Sequence, residues 1–242
     1  MPQILILGMS HVAAMANART EAECAWIEVV NLRETRNAFD SENGRLNAVA
    51  KTWKRPDLVC LSIGGNFHNW FCLLENPAPF TLTCTGKDSA MFDKSDRRHI
   101  SWDMLKCLFE HRLEELWPMQ EMIHAYFAAA RFSHVCAPPP VFEFQTPSDA
   151  DIQRNDKLEM LRYLAFGATP PILRRRVFDL QKEIYAEHAT ELGAYFLEPP
   201  MAACTLDGFL DPAYWTDDPT HGNVAYGRLV LDQIIGVARG PK

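Results

Sequence analysis

An open, mainly parallel β-sheet with helices on both faces, a three-layer α/β/α arrangement, is the fold class predicted by this sequence of 242 residues. Two observations predict it. Five short, largely apolar runs recur along the chain, and breaker-free or helically periodic segments separate them. Strands that are apolar nearly throughout are buried on both faces. Strands alternating with helices specify parallel pairing through right-handed crossovers.

The elements follow in order. Ile4–Leu7 is the first run, stopped by Gly8, and the alanine-rich stretch 9–20 reads as a turn and then a helix. Residues 25–32 carry the second strand. The polar segment 36–47 reads as a loop around Gly44, with a short helix from Leu46 to Thr52. Leu58–Ile63 is the third strand and ends in Gly64-Gly65-Asn66. Residues 67–100 lack strong periodicity and are long for a connection, so they are a candidate functional loop or lid. Trp102, Leu105, Phe109, Leu113 and Leu116 keep helical spacing, Trp117-Pro118 marks a break, and 119–131 continues as helix. Residues 133–137 form the fourth strand, which must stop at Pro138-Pro139-Pro140 because proline cannot serve a central ladder. A helix is expected from Ile152 to Phe166. Leu173, Val177, Leu180, Ile184 and His188 set out a strong amphipathic helix closed by Gly193, the fifth strand is 194–197, and a last helix carries Tyr226, Val230, Ile234 and Val237.

Composition bounds the rest. Hydrophobic residues make up 48% and charged residues 23%, enough for one sizeable core, and nothing in the middle reads as a linker, so 1–242 is expected to be a single domain. The net charge of -7 argues against a nucleic-acid partner. Seven cysteines without paired spacing favour a reducing compartment. With no signal-like N-terminus and no membrane span, a cytoplasmic location is expected. The eight histidines show no metal-ligand spacing, and no dinucleotide or phosphate loop follows a strand. No metal and no cofactor are therefore expected. The Arg174-Arg175-Arg176 run reads as a solvated helix face and His188 as a structural histidine.

Three strand ends carry unusual polar groups. Ser10 follows the first strand, Asn66 the third, and Asp218 and His221 lie in the loop after the fifth. Ligands of open parallel sheets collect at the carboxyl ends of the strands. A serine nucleophile needs a base, the base needs an orienter, and the oxyanion needs donors in place. Ser10, His221 and Asp218 fit the first three roles. The Ser10 and Gly44 amides and the Asn66 side chain fit the last. Plainer readings stand beside these: Ser10 as the cap of the first helix, and Asp218 with His221 as a cap of the last. His11 reads as supporting or structural. His11, His68, Trp70 and Trp215 are substrate-contact candidates, with Trp70, Phe71, Phe80 and Trp215 as an aromatic wall.

The blocks Gly8-Met9-Ser10-His11, Gly44, Gly64-Gly65-Asn66 and Asp218-Pro219-Thr220-His221 resemble the four signature blocks of the SGNH hydrolases, the GDSL-like esterases and lipases. The resemblance runs from residue 3 to about 235 and is weakest between 70 and 170. It implies the flavodoxin-like sheet of that superfamily and hydrolysis of a carboxylic ester of a small molecule, lipid or saccharide through an acyl-enzyme. The sequence departs from the pattern twice. Met9 stands where the family has aspartate before the serine, and Phe67 where an aspartate follows the asparagine. O-acyl transfer by the same Ser-His-Asp set, or a silent binding domain on the same fold, are the competing expectations.

Overall fold

The computed structural model describes residues 1–33, 39–40, 45–46, 53, 55–83, 97–143, 166–217 and 219–240. The central sheet contains β1 (Ile4–Gly8), β2 (Ile27–Asn31), β5 (Leu58–Ser62), β8 (Arg131–Val135) and β9 (Tyr195–Leu197). Their order is β2-β1-β5-β8-β9, and every neighbouring pair is parallel. β1 and β5 are buried at every position, as their unbroken apolar runs require. Two small sheets lie outside it: β3 (Phe39–Asp40) with β4 (Arg45–Leu46), antiparallel, and β6 (Phe80–Thr83) with β7 (Arg98–Ser101), parallel.

The described α-helices are α1 (Val12–Ala18), α2 (Phe67–Cys72), α3 (Trp102–Leu113), α4 (Trp117–Tyr126), α5 (Pro171–Glu191) and α6 (Val224–Arg239). Successive strand side chains point to opposite faces, and β1 shows the result. Ile4 and Ile6 pack with Met15 of α1 and Val230, Leu231 and Ile234 of α6, while Leu5 and Leu7 pack with Ile123 of α4 and Phe127 on the other side. A further cluster joins Leu105, Phe109 and Leu113 of α3 to Leu173, Val177, Leu180 and Ile184 of α5. Gly227 lets α6 press against α1, since a Cβ there would stand 2.3 Å from the Ala14 carbonyl oxygen.

The chain goes from β1 to β2 on one side and returns to β5 on the other. This reversal makes the carboxyl ends of β1 and β5 a topological switch point, where open α/β sheets bind ligands.

Several expectations are corrected. β8 begins at Arg131 rather than Ser133, and the Arg131 guanidinium binds the Val237 carbonyl at 3.0 Å near the end of α6. The helix break falls at 114–116, because Pro118 fits the first turn of α4, where no amide proton is needed. The 67–100 stretch is more regular than its composition suggests, containing α2 and the β6–β7 pair. Leu46 pairs in a strand instead of starting a helix. Gly44, Asp218, residues 47–52 and 144–165, the last covering most of the Ile152–Phe166 helix expectation, lie outside the described residues. Among the described residues, no helix is long and apolar enough to cross a membrane.

Candidate active site

Ser10 lies in the turn between β1 and α1 and is half-buried. The plainer reading made it a helix cap, but the N-cap of α1 is His11, and no side chain caps that helix. The Ser10 carbonyl accepts from the Ala13 amide at 3.2 Å. Its own amide and hydroxyl donate no hydrogen bond among the described residues.

The turn after β5 comes next to it, because β1 and β5 are adjacent strands. Gly64 has φ of +74°, where a side chain would be strained. A Cβ on Gly65 would stand 2.9 Å from the Ala137 Cβ and 3.1 Å from the His11 ring, so the second glycine allows a close approach. Two side chains of α5 hold this turn from below. Gln181 Nε2 donates to the Gly65 carbonyl at 2.8 Å, and the Tyr185 hydroxyl donates to the Gly64 carbonyl at 3.0 Å.

Asn66 heads α2 without capping it. Its Oδ1 lies 3.0 Å from His11 Nε2 and accepts from Asn69 Nδ2 at 3.2 Å. With the carbonyl end of the amide taken, Nδ2 is left as an uncommitted donor among the described residues.

His221 completes the group. Its ring centroid is 4.8 Å from that of His11. The loop carrying it is pinned on both sides: Trp215 bridges to Gly222, the Asn223 amide donates to the Tyr214 carbonyl at 2.9 Å, and Asn223 Nδ2 donates to the Ala213 carbonyl at 2.8 Å. Asn223 is also the N-cap of α6, its Oδ1 accepting from the Tyr226 amide. The last helix is therefore capped by Asn223, and His221 is not spent on that task. His221 Nδ1 stands 2.9 Å from the Thr220 hydroxyl. Among the described residues no hydrogen bond joins Ser10 to His221.

A cleft of about 200 Å³ opens beside Ser10, lined by Met9, Ser10, His11, Gly65, Asn66 and Trp70 among others. Trp70 is 72% exposed. Of the remaining substrate-contact candidates, only His11 lines this space. His68 is buried beneath the turn, its backbone amide donating to Gln181 Oε1 at 2.7 Å and its ring edge-on to Phe178. Burial holds its pKa down at about 4, opposed by the Gln181 bond. Trp215 donates its indole N–H to the Leu210 carbonyl at 2.7 Å. Phe71 stacks on Phe109, and Phe80 joins the same core. Of the expected aromatic wall only Trp70 lines the cleft, and Phe67 joins it there. Arg33, Leu116 and Phe67 also line the cleft and escaped the sequence reading. The signal for Arg33 was its place just past the second strand, on the same rim as Ser10.

A second histidine group lies away from the cleft. His124 and His134 bring their Nε2 atoms to 3.0 Å, and His188 stacks on Trp117. Burial lowers all three pKa values, His134 to about 3 and His124 to about 4. Among the described residues no group of three His, Cys, Asp or Glu side chains is placed to hold a metal ion.

No protein-family model matches the sequence, and no curated protein matches it. Solved structures do. The fold is similar to that of a candidate platelet activating factor from Streptococcus pneumonia, with a TM-score of 0.51 at 14% identity, over 98% of this chain and 84% of that one. Phospholipase A1 from Streptomyces albidoflavus NA297 is similar at a TM-score of 0.47 and 15% identity, over 96% of this chain and 98% of that one. A variant of Axe2, an acetyl-xylooligosaccharide esterase from Geobacillus Stearmophilus, is similar at 0.44 and 15%, over 100% and 95%. At these identities the likeness concerns the fold.

Proposed function

We propose that this protein is a serine-dependent hydrolase of carboxylic esters, working through an acyl-enzyme as SGNH hydrolases do. One observation carries the reading. At a single sheet rim, the Ser10 hydroxyl and amide and the Asn66 Nδ2 are uncommitted among the described residues, beside a cleft, with His221 packed on the histidine that holds Asn66. Neither Ser10 nor His221 serves as the side-chain cap that the plainer reading required.

In the proposed mechanism His221 takes the proton from the Ser10 hydroxyl as Oγ attacks the ester carbonyl. The negative charge on the carbonyl oxygen is met by the Ser10 and Gly44 amides and by Asn66 Nδ2. Collapse of the tetrahedral intermediate breaks the bond to the alcohol, which leaves with the proton from His221. Water, deprotonated by His221, then cleaves the acyl-enzyme and restores Ser10. Asp218 orients the imidazole, a role resting on its spacing from His221 and on the resemblance; among the described residues, the group at His221 Nδ1 is the Thr220 hydroxyl. The 67–100 insertion supplies the cleft with its aromatic wall through Phe67 and Trp70.

The test is the Ser10→Ala protein, assayed on short-chain nitrophenyl esters and with a fluorophosphonate probe. Turnover falls by about 10³-fold or more. The wild type labels at Ser10 and the variant does not. The melting temperature hardly moves, because the hydroxyl makes no hydrogen bond among the described residues. Equal turnover in the two proteins refutes the mechanism, and a wild type that neither labels nor turns over identifies a silent binding domain.

A further inference from the structure

We infer that the cleft selects esters carrying a negatively charged group, and that Arg33 is the residue that selects them; this rests on the ester-hydrolase reading and names its substrate class. The register of the sheet sets up the argument. Gly8 of β1 pairs with Asn31 of β2, so Ser10 and Arg33 each lie two residues beyond one paired position on adjacent strands. The Leu32 amide donates to the Gly8 carbonyl at 2.7 Å, and the Arg33 amide to Asn31 Oδ1 at 3.1 Å, which ties this strand end to the nucleophile turn. Ser10 thus stands between two neighbours on the rim, with Asn66 past β5 on one side and Arg33 past β2 on the other.

Arg33 is an exposed residue that lines the cleft, and its side chain makes no ion pair or hydrogen bond among the described residues. Other arginines of the molecule are spent: Arg97 on Glu75, Arg175 on Asp179, and Arg228 on Glu23 and Asp232. No carboxylate lines the cleft among the described residues, and Arg33 is the only formally charged side chain there. The two positions where a carboxylate was expected next to the motifs are Met9 and Phe67, and both line this space as apolar walls. A second cation stands behind the aromatic wall, the Arg112 guanidinium lying 5.8 Å from the Trp70 ring centroid. Among the described residues, the cleft beside Ser10 is thus a local exception in a chain of net charge -7.

A guanidinium favours a carboxylate or phosphate, because it offers such a group charge-assisted and often bidentate hydrogen bonds that a neutral chain cannot accept. A neutral acyl chain has no use for it. The cleft therefore takes an ester with an anionic group in either the acyl or the alcohol half.

Two substrate pairs separate the halves. Nitrophenyl hemiglutarate against nitrophenyl valerate places the charge on the acyl side, and 4-acetoxybenzoate against 4-tolyl acetate places it on the alcohol side. The readout is the ratio of kcat/KM for the charged to the neutral member. It is about tenfold or more in the wild type for at least one pair, as one charge-assisted hydrogen bond warrants. The ratio survives in Arg33→Lys, falls to about one in Arg33→Gln, drops below one in Arg33→Glu, and shrinks with added salt. A wild-type ratio near one for both pairs, or a ratio that Arg33→Gln leaves in place, overturns the inference. A binding measurement keeps it separate from the catalytic reading. Glutarate and pentanamide are titrated against tryptophan fluorescence in Ser10→Ala and in the Ser10→Ala, Arg33→Gln double variant. Should the wild type cleave no ester, the hydrolase reading fails. Glutarate binding about tenfold tighter than pentanamide, and lost with Arg33, then upholds the anion site, whereas equal binding refutes it.

Discussion

His11 Nε2 lies 3.0 Å from Asn66 Oδ1, so the imidazole engages the carbonyl end of the asparagine amide rather than its NH₂. An asparagine amide offers a carbonyl on one side and two N–H donors on the other. His11, together with Asn69, occupies the carbonyl end, which leaves the NH₂ without a partner among the described residues. In this reading His11 is a positioning residue: its Nε2 carries the proton and Oδ1 accepts.

A paired prediction follows for these two residues. Asn66→Ala lowers kcat by about 10²–10³-fold, the usual loss for one oxyanion donor. His11→Ala lowers kcat by about tenfold with KM little changed, and His11→Gln, which can still donate to Oδ1, recovers part of it. Steady-state kinetics of the three proteins check this. A His11→Ala effect confined to KM would assign the ring to substrate contact instead.

Gln181 reaches the same turn from α5, and its effect is on stability first. Its side chain accepts from the His68 amide and donates to the Gly65 carbonyl. Gln181→Leu strands the buried His68 amide and the part-buried Gly65 carbonyl, at about 1–3 kcal/mol. Urea unfolding measures the loss, and kcat falls alongside it because Asn66 is next in the chain to Gly65. Full stability in the variant would mean that the turn holds itself.

The buried histidines make stability depend on pH. His134 and His68 have folded pKa values of about 3 and about 4, against about 6.5 in the unfolded chain, so between those limits the unfolded state binds more protons. Their neutral forms suit the fold, and the associated stability is complete above pH 6.5. It is lost as pH falls toward the folded values, at about 1.4 kcal/mol per pH unit for each group. Urea unfolding at pH 7, 6 and 5 gives the slope, and His134→Gln makes it shallower. An unchanged slope in that variant would remove His134 from the account.

Strands β1 and β5 were readable one by one because burial on both faces leaves an unbroken apolar run, which is a local signal. Helix α5 was readable through the 3.6-residue spacing of Leu173, Val177, Leu180 and Ile184, with Gly193 at positive φ after its end. The 67–100 segment was not. Helix α2 is too short to show a period, and β6 and β7 gain their meaning only by pairing with each other.

For the candidate site, the sequence by itself determined the chemical types and their chain order: a serine past the first strand, an asparagine past the third, a histidine before the last helix. Tertiary structure decided what surrounds them. His68 and Trp70 are two residues apart, yet one is 1% exposed and the other 72%, because positions two apart on a helix lie on nearly opposite sides and one side of α2 packs on α5. Arg33 is marked in the sequence only by standing just past the second strand. Only the β1–β2 register, a pairing between segments more than twenty residues apart, brings it to the rim that holds Ser10.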